Sequence, residues 1–487
     1  MLTPKLPPNN YPQRTLPMKK LRIPHKKSRT IFIQSFQGIN TTQDPTIIPL
    51  NQTSLAYNFC FERGVLQQGF GIDDSPSIAK LPLPNAQVDR VWLYSKRSPN
   101  LANILMLSTK DGYIYYRNLD TPNDPFQILD LVKFTSPPST ITYRLDNQDI
   151  LLLTSPADGI WLWDGIQDIR KIETDLNTTS ITLYAERLFV TTPDHPDAIY
   201  FSNDLDPTNF HLDPQAGNHI PMTDDRGVPQ VCVPYQNYLY IFREYGISRL
   251  STHNSPTDTD FVLTNPFVSS GKIYRSTVCL CGNIILFLAS DGIYTFDGIT
   301  TRKILPNLTG ELALSHPQDN AIGGYHNGKY YLAFADKLII LDLSNGNHTI
   351  SRDLPLSYLY ASPRLDQMFA VLNSGEIGQI TQNGSVFDNP LRKIWQIGPT
   401  DLSDPSTQKH IRSLDIITHY DLTLHIQTPQ KSKTMYLQGS PNIQTKPINL
   451  TGKQLQITLQ STTPLCHISS LPIQNRNLNH SSQFKKR

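Results

Sequence analysis

Cysteine is scarce in this 487-residue chain: five residues (60, 232, 279, 281 and 466), odd in number and scattered. No disulfide framework is expected from that count, and the reducing cytoplasm is the expected place of synthesis. Charge is sparse as well, with 17% of residues Asp, Glu, Lys or Arg against 38 Pro, 25 Gly, 22 Tyr and 19 Phe. Such a composition argues against a helical bundle or coiled coil, which draws on Ala, Glu, Lys and Leu. No apolar run approaches the roughly 18 residues of a membrane span, so a soluble protein is expected. The opening residues, MLTPKLPP, offer no apolar stretch for a signal peptide.

Signatures of catalysis are missing too. Ser155-Pro-Ala-Asp-Gly and Ser290-Asp-Gly approach the Asp box of sialidase-like propellers, but Gly directly follows Asp and the spacing fails, so both read as hairpin turns. Nothing singles out a carboxylate pair for glycoside hydrolysis. Ser269-Ser270-Gly271-Lys272 resembles the end of a phosphate loop, yet Pro266 replaces the leading Gly and Ile273 the magnesium-binding hydroxyl. There is no Gly-x-Ser-x-Gly elbow and no His pair at zinc-helix spacing. Cys279 and Cys281 share one face of a predicted strand without a second pair, and read as small buried residues. Eight Asn-x-Ser/Thr sequons follow from the abundance of Asn and Thr. The expectation is a protein that is not an enzyme, with no metal and no cofactor.

What is present is a segregation of charge. Residues 1–43 hold eight basic residues and no acid, 44–387 carry a balance of −13, and 388–487 a balance of +7. A surface field follows local charge, so three functional zones are implied. An acidic middle beside a DNA path would favour passage over adhesion, because repelled phosphates do not stick.

The middle also repeats. Apolar cores recur around Ile104, Leu151, Leu188, Leu239, Leu286, Tyr331 and Met368, at a mean spacing of 44 residues. That is the period of propeller blades, roughly 40–50 residues for four strands. Asp-Gly pairs at 111, 158, 164, 291 and 297, and Asn-Gly at 327, 345 and 383, supply two-residue turns. DILLLTSPADGIWLWDG (149–165) and NIILFLASDGIYTFDG (283–298) follow one plan of strand, turn and returning strand. Continuous apolar runs imply strands covered on both faces, as in radially stacked blades. The expected fold is all-β: a six- to seven-bladed β-propeller, with seven preferred, a C-terminal β-sandwich and an extended basic N-terminal arm. Residues 1–30 are the Pro-rich arm, 31–387 the propeller with a leading segment hairpinned at Arg63-Gly64, 388–475 the sandwich, and 476–487 a disordered tail.

Four stretches carry a resemblance. They are Asn58, Gly64 and Gly69-Phe70-Gly71; RLFVTT with AIYFSNDLDPTNF ending at Phe210; YLYIFREYGISRL, VSSGKIYRSTV and IILFLASDGIYTFDG over 238–298; and a strand-rich C-terminus opened by Trp395 and KHIRSLDI. In order and spacing the chain resembles the β-propeller virion proteins of tailed bacteriophages, of the tail-nozzle, stopper and packaged-DNA-stabilising type. The resemblance implies a multimeric ring at the neck or short tail, located in the virion and assembled in the host cytoplasm. It would join portal or adaptor to tail, with packaged double-stranded DNA passing nearby. A phage-derived gene-transfer particle would use the same part. The alternatives are a peripheral receptor- or carbohydrate-binding propeller and a cellular propeller scaffold. Asp206-Pro207 is expected to start a turn, with Phe210 packed under Tyr200 and Phe201.

The candidate contact residues are Lys19, Lys20, Arg22, Lys26, Lys27 and Arg29, six cations within eleven residues. Three readings stand side by side: a solvated tail, docking on an acidic neighbouring subunit, and contact with DNA phosphates. Aromatic interleaving is absent here, which disfavours stacking on single strands.

Overall fold

The computed structural model describes residues 28–478 apart from 34, 79–86, 122–123, 131, 167, 173, 175, 211–217, 255–258, 270, 316–319, 403 and 464–466. The seven apolar segments become Ala102–Thr109, Gln148–Ser155, Arg187–Thr191, Tyr238–Arg243, Ile284–Ala289, Lys329–Phe334 and Gln367–Leu372. Each is the second strand of a largely four-stranded antiparallel sheet. Their side chains are buried to both sides, as Leu105, Met106 and Leu107 show at 0% exposure. A strand with no solvent face can afford no polar alternation, which is why these runs were continuous.

The Asp-Gly and Asn-Gly pairs all fall in turns between strands. Gly159 at φ 79° and Gly328 at φ 72° stand for the set, in a region that costs other residues a steric clash. The result is an all-β molecule of antiparallel four-stranded sheets, the arrangement of a β-propeller.

Among the described residues there are seven such sheets, over 88–128, 139–171, 180–221, 229–268, 279–304, 322–352 and 356–381. At five of the seven junctions the first strands of neighbouring sheets lie alongside one another, which places them innermost. Apolar clusters fill the gaps between consecutive sheets, and one of them joins the last sheet to the first through Val91, Leu105, Phe369 and Val371. The last sheet takes its fourth strand from far upstream: Gly71–Asp73 pairs with Ile377–Thr381, Ile72 opposite Ile380. The ring is thereby closed by chain that precedes its first sheet.

A second unit is built from both chain ends. One sheet runs Phe59–Glu62, Val65–Gln68, His467–Leu478, Gln408–Thr418 and Ser440–Gly452, with Ser28–Ile33 also on His467–Leu478. The other runs Leu55–Tyr57, Lys393–Thr400, Leu455–Ser461, Leu422–Gln427 and Ser432–Leu437. They face each other across one core containing Trp395, Leu424, Ile457, Leu414, Ile416 and Leu471.

Several expected boundaries move. The hairpin at Arg63-Gly64 forms, but it pairs with His467–Leu478 and not with the ring. Of the leading segment, the strand Gly71–Asp73 is the part that pairs into the ring. The arm was placed at 1–30, yet a strand begins at Ser28 because His467–Leu478 offers it an open edge. The tail was expected from 476, yet that strand continues to Leu478, opposite Gln408. Ser440–Gly452 was not anticipated as a strand. Pro441 and Pro447 interrupt its sequence, and it is tolerated as an edge, where a missing N–H breaks no ladder.

Candidate interaction surfaces

Asn58 is the pin between the two units. It is fully buried at φ 60°. Its Nδ2 donates to Arg392 O at 2.8 Å, and its Oδ1 accepts from Arg352 N at 2.8 Å. Its own N–H reaches Ile350 O, and Gly69 N donates to its carbonyl, both at 2.9 Å. One side chain thus satisfies backbone from the sixth sheet and from the strand leading to Lys393–Thr400. Gly69 and Gly71 belong to the same junction: a Cβ on Gly71 would lie 1.9 Å from Ser385 O. Beside it Lys393, 0% exposed, donates to the carbonyls of Thr463, Gly384 and Leu391 at 2.7, 3.3 and 3.3 Å.

The ring interfaces carry polar latches as well as apolar contacts. Tyr94 Oη donates to Asp149 O at 2.6 Å, Tyr143 to Glu186 O at 3.3 Å, and Tyr184 to Asn237 O at 2.9 Å. Tyr235 donates to Asn283 O, and Tyr330 to Thr277 O at 2.8 Å. Between the sixth and seventh sheets Asn327 Nδ2 donates to Asp366 at 2.7 Å. At the seam, Leu93 N donates to Tyr360 Oη at 3.0 Å.

The acids of the middle zone are not on the innermost strands. Those seven strands contain one acid, Asp89, beside Arg90, Lys96 and Arg144. An acid stands instead in each turn between second and third strands: Asp111, Asp158, Asp194, Glu244, Asp291, Asp336 and Glu376. Turns of that class share one face of the ring. The expectation that an acidic middle favours passage of DNA is corrected accordingly, because turn geometry draws in carboxylates such as Asp158. Asp158 shows how: it accepts from Ser155 Oγ at 2.6 Å, Thr135 Oγ1 at 2.7 Å and Thr135 N at 3.0 Å. Burial pushes its carboxyl up, but those hydrogen bonds outweigh it and hold the group below the usual range.

The remaining motifs resolve into packing. Gly271 lies against the turn at Ser290-Asp291, with Lys272 N on Ser290 Oγ at 3.1 Å, so no phosphate cradle forms. Cys60, Cys232, Cys279 and Cys281 are free thiols, and burial pushes the first three up to about 12. Among the described residues no group of His, Cys, Asp and Glu could hold a metal ion. Asp206 Oδ1 caps Thr208 N at 3.0 Å, as the Asp-Pro turn requires. Phe210 joins Tyr200 in one core, while Phe201 packs in the next with Phe189 and Phe261. Glu311 bridges Lys337 at 2.5 Å and Arg352 at 2.6 Å, a buried cluster that no sequence pattern announced.

Of the six candidate cations, Lys19, Lys20, Arg22, Lys26 and Lys27 lie outside the described residues. Arg29 falls within the strand Ser28–Ile33, opposite Asn475. The strand that directly follows the basic segment in sequence, Ser28–Ile33, belongs to the two-sheet unit. No helix among the described residues is long and apolar enough to cross a membrane.

No family model matches this chain, and no curated protein matches it either. Solved structures similar to it include PorZ, a bacterial surface component of the type-IX secretion system of Porphyromonas gingivalis, at 10% identity and TM-score 0.41. That likeness covers 75% of this chain and 46% of PorZ, so the chain spans under half of that protein. The WD40 domain of Neurospora crassa Pan2 is similar at 8% identity and TM-score 0.41, over 65% of this chain and 97% of that one. BBS1N, solved in complex with ARL6DN, is similar at 8% identity and TM-score 0.43, over 65% and 98%. Nothing about the activity or partners of those proteins carries over at such values.

Proposed function

We propose that this chain is a non-enzymatic structural protein of a phage-type virion. In that reading a seven-bladed propeller and a C-terminal β-sandwich assemble as a homo-oligomeric ring at the neck or short tail. The ring contacts the portal or adaptor and other tail proteins, retains packaged DNA, and forms part of its exit route. A gene-transfer particle of phage descent would use it in the same way.

The observation that carries the reading is the knitting of both chain ends into one unit beside a closed ring. Such a body is stiff, because relative movement would break Asn58, Lys393 and the Gly71–Asp73 strand together. Its first described strand, Ser28–Ile33, is continuous in sequence with the basic segment. Stiff discs with tethered cationic segments suit repetitive assembly, where large interfaces and charge decide partners. Asn58, Gly69 and Gly71, from the first of the resemblance stretches, lie at this junction.

Imaging of purified particles tests this. Copies of the chain arranged about the particle axis between capsid and tail are expected. Particles lacking the chain, or carrying it at fibre tips, would overturn the proposal. A peripheral carbohydrate-binding role has one observation in its favour: a cavity of about 140 Å³ lined by Lys329, Asp342, Asn345, Asn347 and Gln382. Glycan-array binding that Asn347→Ala abolishes would establish that role instead.

A further inference from the structure

The outer face of one sheet in the two-sheet unit is a groove with its own chemistry. Along the strands Ser28–Ile33, His467–Leu478, Gln408–Thr418 and Ser440–Gly452, the residues Ile33, Leu471, Ile473, Leu414, Ile416 and Ile448 turn inward to the core. Strand alternation leaves the opposite set outward. Thr30, Asp415, Ile417, Ile443, Pro472 and Gln474 line a cavity of about 320 Å³ there. Ile443 is 66% exposed. Within this apolar setting Asp415 Oδ1 is shielded from solvent, and among the described residues it has no hydrogen-bond donor. A carboxylate oxygen removed from water without a donor is unfavourable until a cation reaches it.

We infer that this groove receives the basic N-terminal segment, residues 1–27, of a second copy of the chain, with Asp415 taking one of its cations. The inference rests on the proposed self-assembling role and names the contact that would build it. Three observations point to that occupant. The segment carries Lys5, Arg14, Lys19, Lys20, Arg22, Lys26 and Lys27 with no acid. Its second half, TLPMKKLRIPHKK, sets Leu16, Met18, Leu21 and Ile23 among those cations, matching a groove where Ile417, Ile443 and Pro472 accompany one carboxylate and the polar Thr30 and Gln474.

The third observation is reach. Phe32 lies opposite Pro472 and Leu414 opposite Ile473, so Asp415 is level with the Phe32 end of its strand. Ser28 lies opposite Arg476, at the other end. Fully extended, the 27 residues before Ser28 span up to ~90 Å, enough to reach a neighbour. A segment leaving one copy and docking on the next is a head-to-tail contact, the kind that closes into rings.

The full-length chain tests this, mixed from isotopically light and heavy preparations and treated with a zero-length carbodiimide cross-linker. Links from Asp415 to Lys19, Lys20, Lys26 or Lys27 are expected, with light–heavy pairs among them. In sedimentation velocity, Asp415→Asn and Ile443→Ser should each weaken self-association about tenfold or more, and raised salt should weaken the unmodified chain. Circular dichroism confirms that each variant is folded. Links confined to same-isotope pairs would place the segment in its own groove and overturn the inference. So would unaltered association in both variants, absence of self-association, or a basic segment that cross-links only to added DNA. Rings of Asp415→Asn chains in intact particles would sink the groove contact and leave the structural role standing. Asp415-dependent association of a chain found in no particle would do the reverse.

Discussion

Asn58 was legible in the sequence only as a member of a motif. Its role needs four backbone partners drawn from residues as far away as Arg392, and no local pattern encodes those. Asn58→Ala removes both side-chain bonds and strands two buried backbone groups, so a loss of about 2–4 kcal/mol is expected in chemical denaturation. Asn58→Asp should do nearly as badly, because a carboxylate cannot donate to Arg392 O.

His348 makes a second prediction at this scale. Burial drives its imidazole down to about 4, and its Nε2 has no hydrogen-bond partner among the described residues. The unfolded chain takes up this proton near pH 6.5 and the folded chain only near 4. Stability from this residue is therefore complete above about 6.5 and declines as pH falls toward 4, by up to about 3 kcal/mol. Denaturation midpoints measured from pH 7 to pH 4 should fall less steeply in His348→Gln than in the unmodified chain. Equal slopes would show that other groups set the acid response.

At the scale of elements, the apolar second strands and the Gly turns could be read directly, since both obey local rules of burial and φ. The latches could not. Tyr94, Tyr143, Tyr184 and Tyr235 look like ordinary strand aromatics until the next sheet supplies a carbonyl. Tyr184→Phe leaves Asn237 O without its donor, at a cost of about 1 kcal/mol. Tyr184→Phe with Tyr143→Phe should cost about twice that, because the two serve separate interfaces; melting of the single and double variants checks additivity. The strand Ser440–Gly452 escaped notice for the opposite reason. Its prolines are signals against a strand interior, and only its edge position excuses them.

For the molecule as a whole, composition and period foretold sheets around an axis, but not how the ring is shut. Three residues, Gly71–Asp73, are too short to register in any pattern, yet they complete the seventh sheet. Gly71→Ala sets a methyl group against Ser385 O, and we expect a loss of about 3 kcal/mol or more. Limited proteolysis should then cut first around 71–78, where the released strand no longer pairs with Ile377–Thr381. Cleavage at the wild-type rate would show that the neighbouring backbone yields instead. The charge segregation was visible from the start, but its meaning changed. The carboxylates stand in turns and not on the innermost strands, and at Asp158 the capping of a turn holds one there.

The closing strand has a consequence for how the protein is born. Gly71–Asp73 leaves the ribosome some three hundred residues before its partner Ile377–Thr381, and Ser28–Ile33 waits longer still for His467–Leu478. Early blades can stack as they emerge, but neither seam can be sewn until translation is nearly complete. Until then the nascent chain carries unpaired edges at its leading end, so premature termination yields a sticky fragment in place of a smaller working protein.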